Sequence, residues 1–201
     1  MDFEEIDAVL AKSGMGEAEK AEGTNGPTLK ERFRRTMFFQ EIMPFFRSSF
    51  EELGFTVVYS QKTNKQVIHQ GVEALAAEPC YPVKVAHGHV LDLLEAGVKR
   101  IFLPSIIDLP HPHPEIQQGL VCPMAQSLAY TLPTAIDFAP YGAKLLSPVL
   151  YFGRGEQALR QGLRFLGKEL GVSRLKVDRA LQKALAAQEA YYGNLQARGR
   201  E

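Results

Sequence analysis

The residues best suited to chemistry in this chain are two thiols and the groups close to them in sequence. Cys80 stands in Glu78-Pro79-Cys80-Tyr81-Pro82-Val83-Lys84, and Cys122 stands in Val121-Cys122-Pro123. A proline follows one cysteine directly and the other after a single residue. Proline suits the first turn of a helix, where its missing N–H would have no partner in any case. Each thiol is therefore expected at a turn into a helix. There the free amide N–H groups and the positive end of the helix dipole favour thiolate over thiol. Two thiolates aimed into one crevice suit a soft metal or an iron–sulfur cluster. The plainer alternative is two small buried hydrophobes, the usual fate of a free cysteine.

A structural zinc site needs four ligands, which brings His87, His89, His111 and His113 into consideration. Cys80 and His87 are seven residues apart. On one helix that is two turns, roughly 10 Å, too far to share an ion. His111 and His113 lie in Asp108-Leu109-Pro110-His111-Pro112-His113-Pro114, a loop by its prolines. They could reach the cysteines, or the stretch is simply a rigid surface loop. His87 is expected to pack or to bond a carbonyl, and Gly88 implies a close backbone approach. Lys84, one turn beyond Cys80, could place a positive charge beside a cluster or an anionic ligand; otherwise it snorkels at the surface. Gly153-Arg154-Gly155 lacks the lysine and serine of a phosphate loop, so no nucleotide site is expected in this chain. No Ser–His–Asp or paired-carboxylate arrangement stands out.

The elements that must position these groups follow from composition and pattern. With 201 residues, 45% of them apolar, the chain is long enough for one domain with a substantial core and an appendage. Basic and acidic residues balance at 23 each, so no overall field favours nucleic acid or an anionic membrane. No apolar run approaches the roughly 18 residues of a membrane span. Two cysteines make no disulfide framework, which points to a reducing cytoplasm.

Residues 1–28 read as a short amphipathic helix over 2–12 and a flexible Gly-punctuated linker, and 29–201 as a single α/β domain. Thr36-Met37-Phe38-Phe39 suggests a short strand. The spacing predicts helices over 42–53, 64–75, 82–96, 122–131, 155–170 and 173–197, the last with Ser173 as N-cap. Strands are expected over 55–60, 98–104 and 144–152, the third at an edge or bulged because of Pro148. Alternating strands and helices predict a three-layer parallel sheet flanked by helices, flavodoxin- or Rossmann-like, with C-terminal helices. Ligands collect beyond the carboxyl ends of such strands, and Ser105, directly after one of them, opens a loop in that position.

The sequences around Phe45-Phe46, Phe50-Glu51-Glu52-Leu53-Gly54-Phe55, Cys80-Tyr81-Pro82-Val83-Lys84, His87-Gly88-His89 and Cys122-Pro123 resemble a domain of unknown function found in acyl-CoA dehydratase activase-related proteins. These are relatives of the 2-hydroxyacyl-CoA dehydratase and benzoyl-CoA reductase systems. The resemblance runs from about residue 38 onward. It implies an α/β domain of the kind that holds a [4Fe-4S] or double-cubane cluster through cysteines, here Cys80 and Cys122. It also implies a role in electron transfer within an ATP-dependent activating system. Expected partners are an ATP-hydrolysing activase subunit or a dehydratase-like cluster subunit. Some relatives place a further cysteine where this chain has Ser105. With two cysteines, the ligand set would be completed by Ser105, His111, His113, a partner's cysteine or a homodimer interface. The reading that competes with it is a non-catalytic docking module with structural cysteines or a zinc site.

Overall fold

A computed structural model describes residues 41–199 except 58, 76, 111–114 and 116–118. The expected helix at 2–12, the linker to 28, the strand near 36–39, and His111 and His113 lie outside the described residues. Six α-helices and four short strands run through the remainder. They are α1 (Met43–Leu53), α2 (Lys65–Glu73), α3 (Tyr81–Glu95), β1 (Arg100–Phe102), β2 (Ser105–Asp108), α4 (Pro123–Ala135), β3 (Lys144–Leu146), β4 (Val149–Tyr151), α5 (Glu156–Glu169) and α6 (Arg174–Arg198).

The strands form a narrow parallel ribbon. β1 pairs with β3 (Arg100 opposite Lys144, Phe102 opposite Leu146), and β2 pairs with β4 (Ser105 opposite Val149, Ile106 opposite Leu150). The register offset is the same in both halves, so Pro104 and Pro148 fall at the same level and divide what would otherwise be one pair of strands. Leu103 N–H still donates to Leu146 O at 2.9 Å and Ser105 N–H to Pro148 O at 2.9 Å. Pro148 has no N–H to return, which interrupts the ladder. The register then shifts by one residue between Ile106 and Asp108, a bulge.

The described residues contain a mixed α/β arrangement with two small two-stranded parallel sheets. Two sequence expectations are corrected here. Residues 55–60 carry only a single bridge at Val57, without a described strand of their own. Ser105 is the first residue of β2, not the first of a loop; only Leu103 and Pro104 separate it from the end of β1 at Phe102. The helices fall close to their expected limits. The exception is α4, which continues past Thr131 with Pro133 inside its last turn.

The core explains the packing. Phe46 and Phe50 of α1 meet Phe102 of β1 nearly edge to face, at 5.1 and 4.9 Å between ring centroids. Phe45 meets Phe152 in the same way at 5.0 Å. All three phenylalanines of α1 are buried, and such rings dominate core energetics. α1 lies along α6, whose stripe of Val177, Ala180, Leu181 and Ala184 is buried against it. Small residues in that stripe let the two helices approach. Ile42, the N-cap of α1, offers no capping side chain, so Gln188 of α6 supplies one. Its Oε1 accepts from Phe45 N–H at 3.2 Å and its Nε2 donates to Glu41 O at 2.6 Å. At the other end of α1, Lys176 Nζ donates to Leu53 O at 2.8 Å. α4 packs on β2, and α5 on β4 and α6.

Candidate functional site

Cys80 and Cys122 occupy equivalent places. Each is the N-cap of a helix, α3 and α4 respectively, with proline in the first turn and no side-chain cap hydrogen bond. Both thiols are free and exposed, so neither is a core hydrophobe. α3 packs against α4. Gly97, with φ of 76°, turns the chain from the end of α3 into β1. Val121, the residue before Cys122, donates its N–H to Ile107 O at 3.0 Å. The Cys122 cap is thereby tied to the carboxyl half of the ribbon.

The neighbours of the cysteines are committed elsewhere. Lys84, mostly buried, forms an ion pair with exposed Glu78, so its charge is already matched within the Cys80 turn. Ser105 is buried, and its hydroxyl donates to Gln126 O of α4 at 2.7 Å. Gln126 in turn donates to Val121 O at 2.6 Å and to Ile107 O at 3.3 Å. This stitching fixes the first turn of α4, and with it Cys122, against β2. The serine thus holds the helix that carries the thiol.

His87 and His89 are buried on α3. His87 Nδ1 lies 2.8 Å from Val83 O, and His89 Nε2 lies 2.9 Å from Thr63 Oγ1. Both rings are used inside the fold, as expected of His87. Gly88, between them, faces α2: a Cβ there would press into Val67 O, and one on Gly71 would press into Lys84 O. The close approach read from Gly88 is this helix crossing. Among the described residues no group of three or more His, Cys, Asp or Glu is arranged to hold a metal ion. Within those residues, Cys80 and Cys122 are the two thiols.

Sequence reasoning missed a second cluster, at the carboxyl ends of β2 and β4. Asp108 and Tyr151 are register partners there. Asp108 Oδ1 accepts from Gly153 N–H at 2.7 Å and Oδ2 from Arg154 Nε–H at 3.1 Å. The Arg154 guanidinium also stacks over the Tyr151 ring at 4.1 Å. The available signal was position: Asp108 ends an apolar strand, and the Gly-Arg-Gly triplet comes just after another.

A family model described as CoA enzyme activase uncharacterised domain matches residues 33–201. The chain belongs to this family. The match agrees with the resemblance carried by the two cysteine contexts, and it covers every described element of this CoA enzyme activase uncharacterised domain. Searches among curated proteins and among solved structures find no match. No described helix is long and apolar enough to cross a membrane.

Proposed function

We propose that this domain is an accessory, cluster-bearing part of a CoA enzyme activating system, in which Cys80 and Cys122 ligate an iron–sulfur cluster of the [4Fe-4S] type used for electron transfer. The observation that carries the reading is that both thiols are exposed N-caps of two packed helices. A helix N-terminus stabilises thiolate, and a cluster supplies the iron and sulfide that thiolates bind. The donor set fits half of such a site, since a [4Fe-4S] cluster takes four cysteines. The rest would come from a partner surface, either an ATP-hydrolysing activase subunit, a dehydratase-like cluster subunit or a second copy of this chain. His111 and His113, which follow β2 in sequence, are the further candidates within this chain. The same reading takes the ribbon as the centre of a wider flavodoxin-like sheet, working in a reducing cytoplasm.

The test is anaerobic reconstitution of the full chain with iron and sulfide, followed by metal and sulfide analysis. Bound iron with thiolate-to-iron absorbance, lost in both Cys80→Ala and Cys122→Ala, supports the reading. Colourless, iron-free protein, alone and with its activase partner, overturns it.

One observation favours a second reading, a docking module with no cluster. Tyr81 beside Cys80, and Leu120 and Met124 around Cys122, are large apolar side chains left exposed. Partner binding that survives both cysteine substitutions would favour this alternative.

A further inference from the structure

We propose that Arg154 anchors a binding site for a single phosphoryl group of a small molecule, at the carboxyl ends of β2 and β4. The proposal is independent of any cluster at the cysteines. It rests on how the guanidinium is held. Asp108 is buried, its side chain only 9% exposed, while that of Arg154 is 60% exposed. The buried carboxylate takes the arginine through Nε alone, and the Tyr151 ring lies against one face of the guanidinium. Those two contacts fix both the plane of the guanidinium and its rotation within that plane. The hydrogen bond to Asp108 runs through Nε, not through Nη1 or Nη2. Two parallel N–H groups on the Nη1–Nη2 edge match two oxygens of a phosphoryl group.

A flexible surface arginine would lose rotamer freedom on binding an anion. This one has already lost it to Asp108 and Tyr151. The flanking residues serve the same end. A Cβ on Gly153 would come within 3.2 Å of Leu109 O and 3.3 Å of Asp108 Oδ1, tight enough to disturb the carboxylate. Gly155 has φ of 82°, and nothing lies within 4 Å of where its Cβ would stand, so the ground beside Arg154 is open. Glu156, the nearest acid along the chain, is drawn off by Arg160 and by Gln182, whose Nε2 donates to it at 2.8 Å. Asp108 offsets the arginine's charge, but an anion on the Nη edge lies nearer the guanidinium than the carboxylate. Binding is therefore set by geometry more than by net charge. It suits one phosphoryl group and not the polyphosphate cradle of a phosphate loop. The ends of parallel strands are where α/β folds collect small ligands.

The experiment is a titration of the full chain with inorganic phosphate at constant ionic strength, followed by the Arg154 Nε–H and Gly153 amide signals in proton–nitrogen correlation spectra. A parallel titration uses acetate. The expected result is a saturable phosphate shift at both signals, stronger than with acetate. It should be about tenfold weaker in Arg154→Lys, which keeps the charge and loses the fork, and the Gly153 shift should be absent in Arg154→Ala. The rest of each spectrum reports whether the variant is folded, and Arg154→Lys decides the matter if Arg154→Ala is not. No saturable shift, an equal Gly153 shift in Arg154→Ala, equal binding to Arg154→Lys, or acetate binding as tightly as phosphate would each overturn the proposal.

Discussion

Gly71 and Gly88 meet across the α2–α3 crossing, each placed where a single added carbon would strike the backbone of the opposite helix. The obstructing atoms are carbonyl oxygens, Lys84 O on one side and Val67 O on the other, and backbone cannot swing aside as a side chain does. Gly88→Ala is therefore expected to destabilise the domain by about 3 kcal/mol, at the upper end of overpacking costs. Because α3 carries Cys80, the same variant should disturb that thiol. Denaturant unfolding, read together with thiol reactivity at Cys80, checks both effects.

Cys80→Ala and Cys122→Ala should behave in the opposite way. Neither thiol caps its helix by a hydrogen bond, and both are exposed. Each substitution is expected to change stability by no more than about 0.5 kcal/mol, as surface changes do. A large loss of iron with a small loss of stability would separate ligation from folding.

Ser105→Ala removes the hydroxyl that donates to Gln126 O, a part-buried hydrogen bond to a carbonyl inside α4. A cost of about 0.5–1.5 kcal/mol is expected. Since Ser105 acts by holding the start of α4, thermal unfolding should register the change, while iron content measured below the transition should not fall to zero.

Acid should weaken the junction of α5 and α6. Hydrogen bonding to Arg164 holds the Asp178 carboxyl below its ordinary value of 3.8, with Arg164 Nη2–H donating at 2.6 Å. A carboxyl whose value is lower in the folded state contributes stability that is present above its unfolded value and is lost as pH falls through its folded one. Asp178→Asn should therefore show less loss of stability below about pH 4 than the parent, with little difference between them in slope at neutral pH. Urea midpoints across that range test it. Lys183 does the same for Glu52, so some acid sensitivity should remain.

Much of the helical structure was legible in the sequence because its signals are local. Ser173 caps α6 as read, accepting from Lys176 N–H at 3.4 Å. The break at Pro148 followed from its missing donor. The ribbon was harder to read: Pro104 looked like a terminus, yet its effect depends on what stands opposite. That is Pro148, far along the chain, and no local pattern reports it. The site was legible to the same extent. Two Cys-to-Pro contexts placed both thiols at helix starts. Ser105 read as a ligand candidate because it follows an apolar stretch and because some relatives place a cysteine there; its hydroxyl donates to Gln126 O. The pairing of Asp108 with Arg154 went unread because each is an ordinary charge until the fold brings them together.

The clasp that α6 places on α1 has a consequence for synthesis. Phe45 N–H and Leu53 O take their side-chain partners, Gln188 and Lys176, from a helix made 143 and 123 residues later. As the nascent chain leaves the ribosome, the phenylalanine-rich helix must wait uncapped through the production of nearly the whole domain. Native closure is thus a late event. A stalled or prematurely terminated chain would present that sticky helix to chaperones, so shortening α6 should reduce yield in the cell well before it alters any chemistry at the thiols.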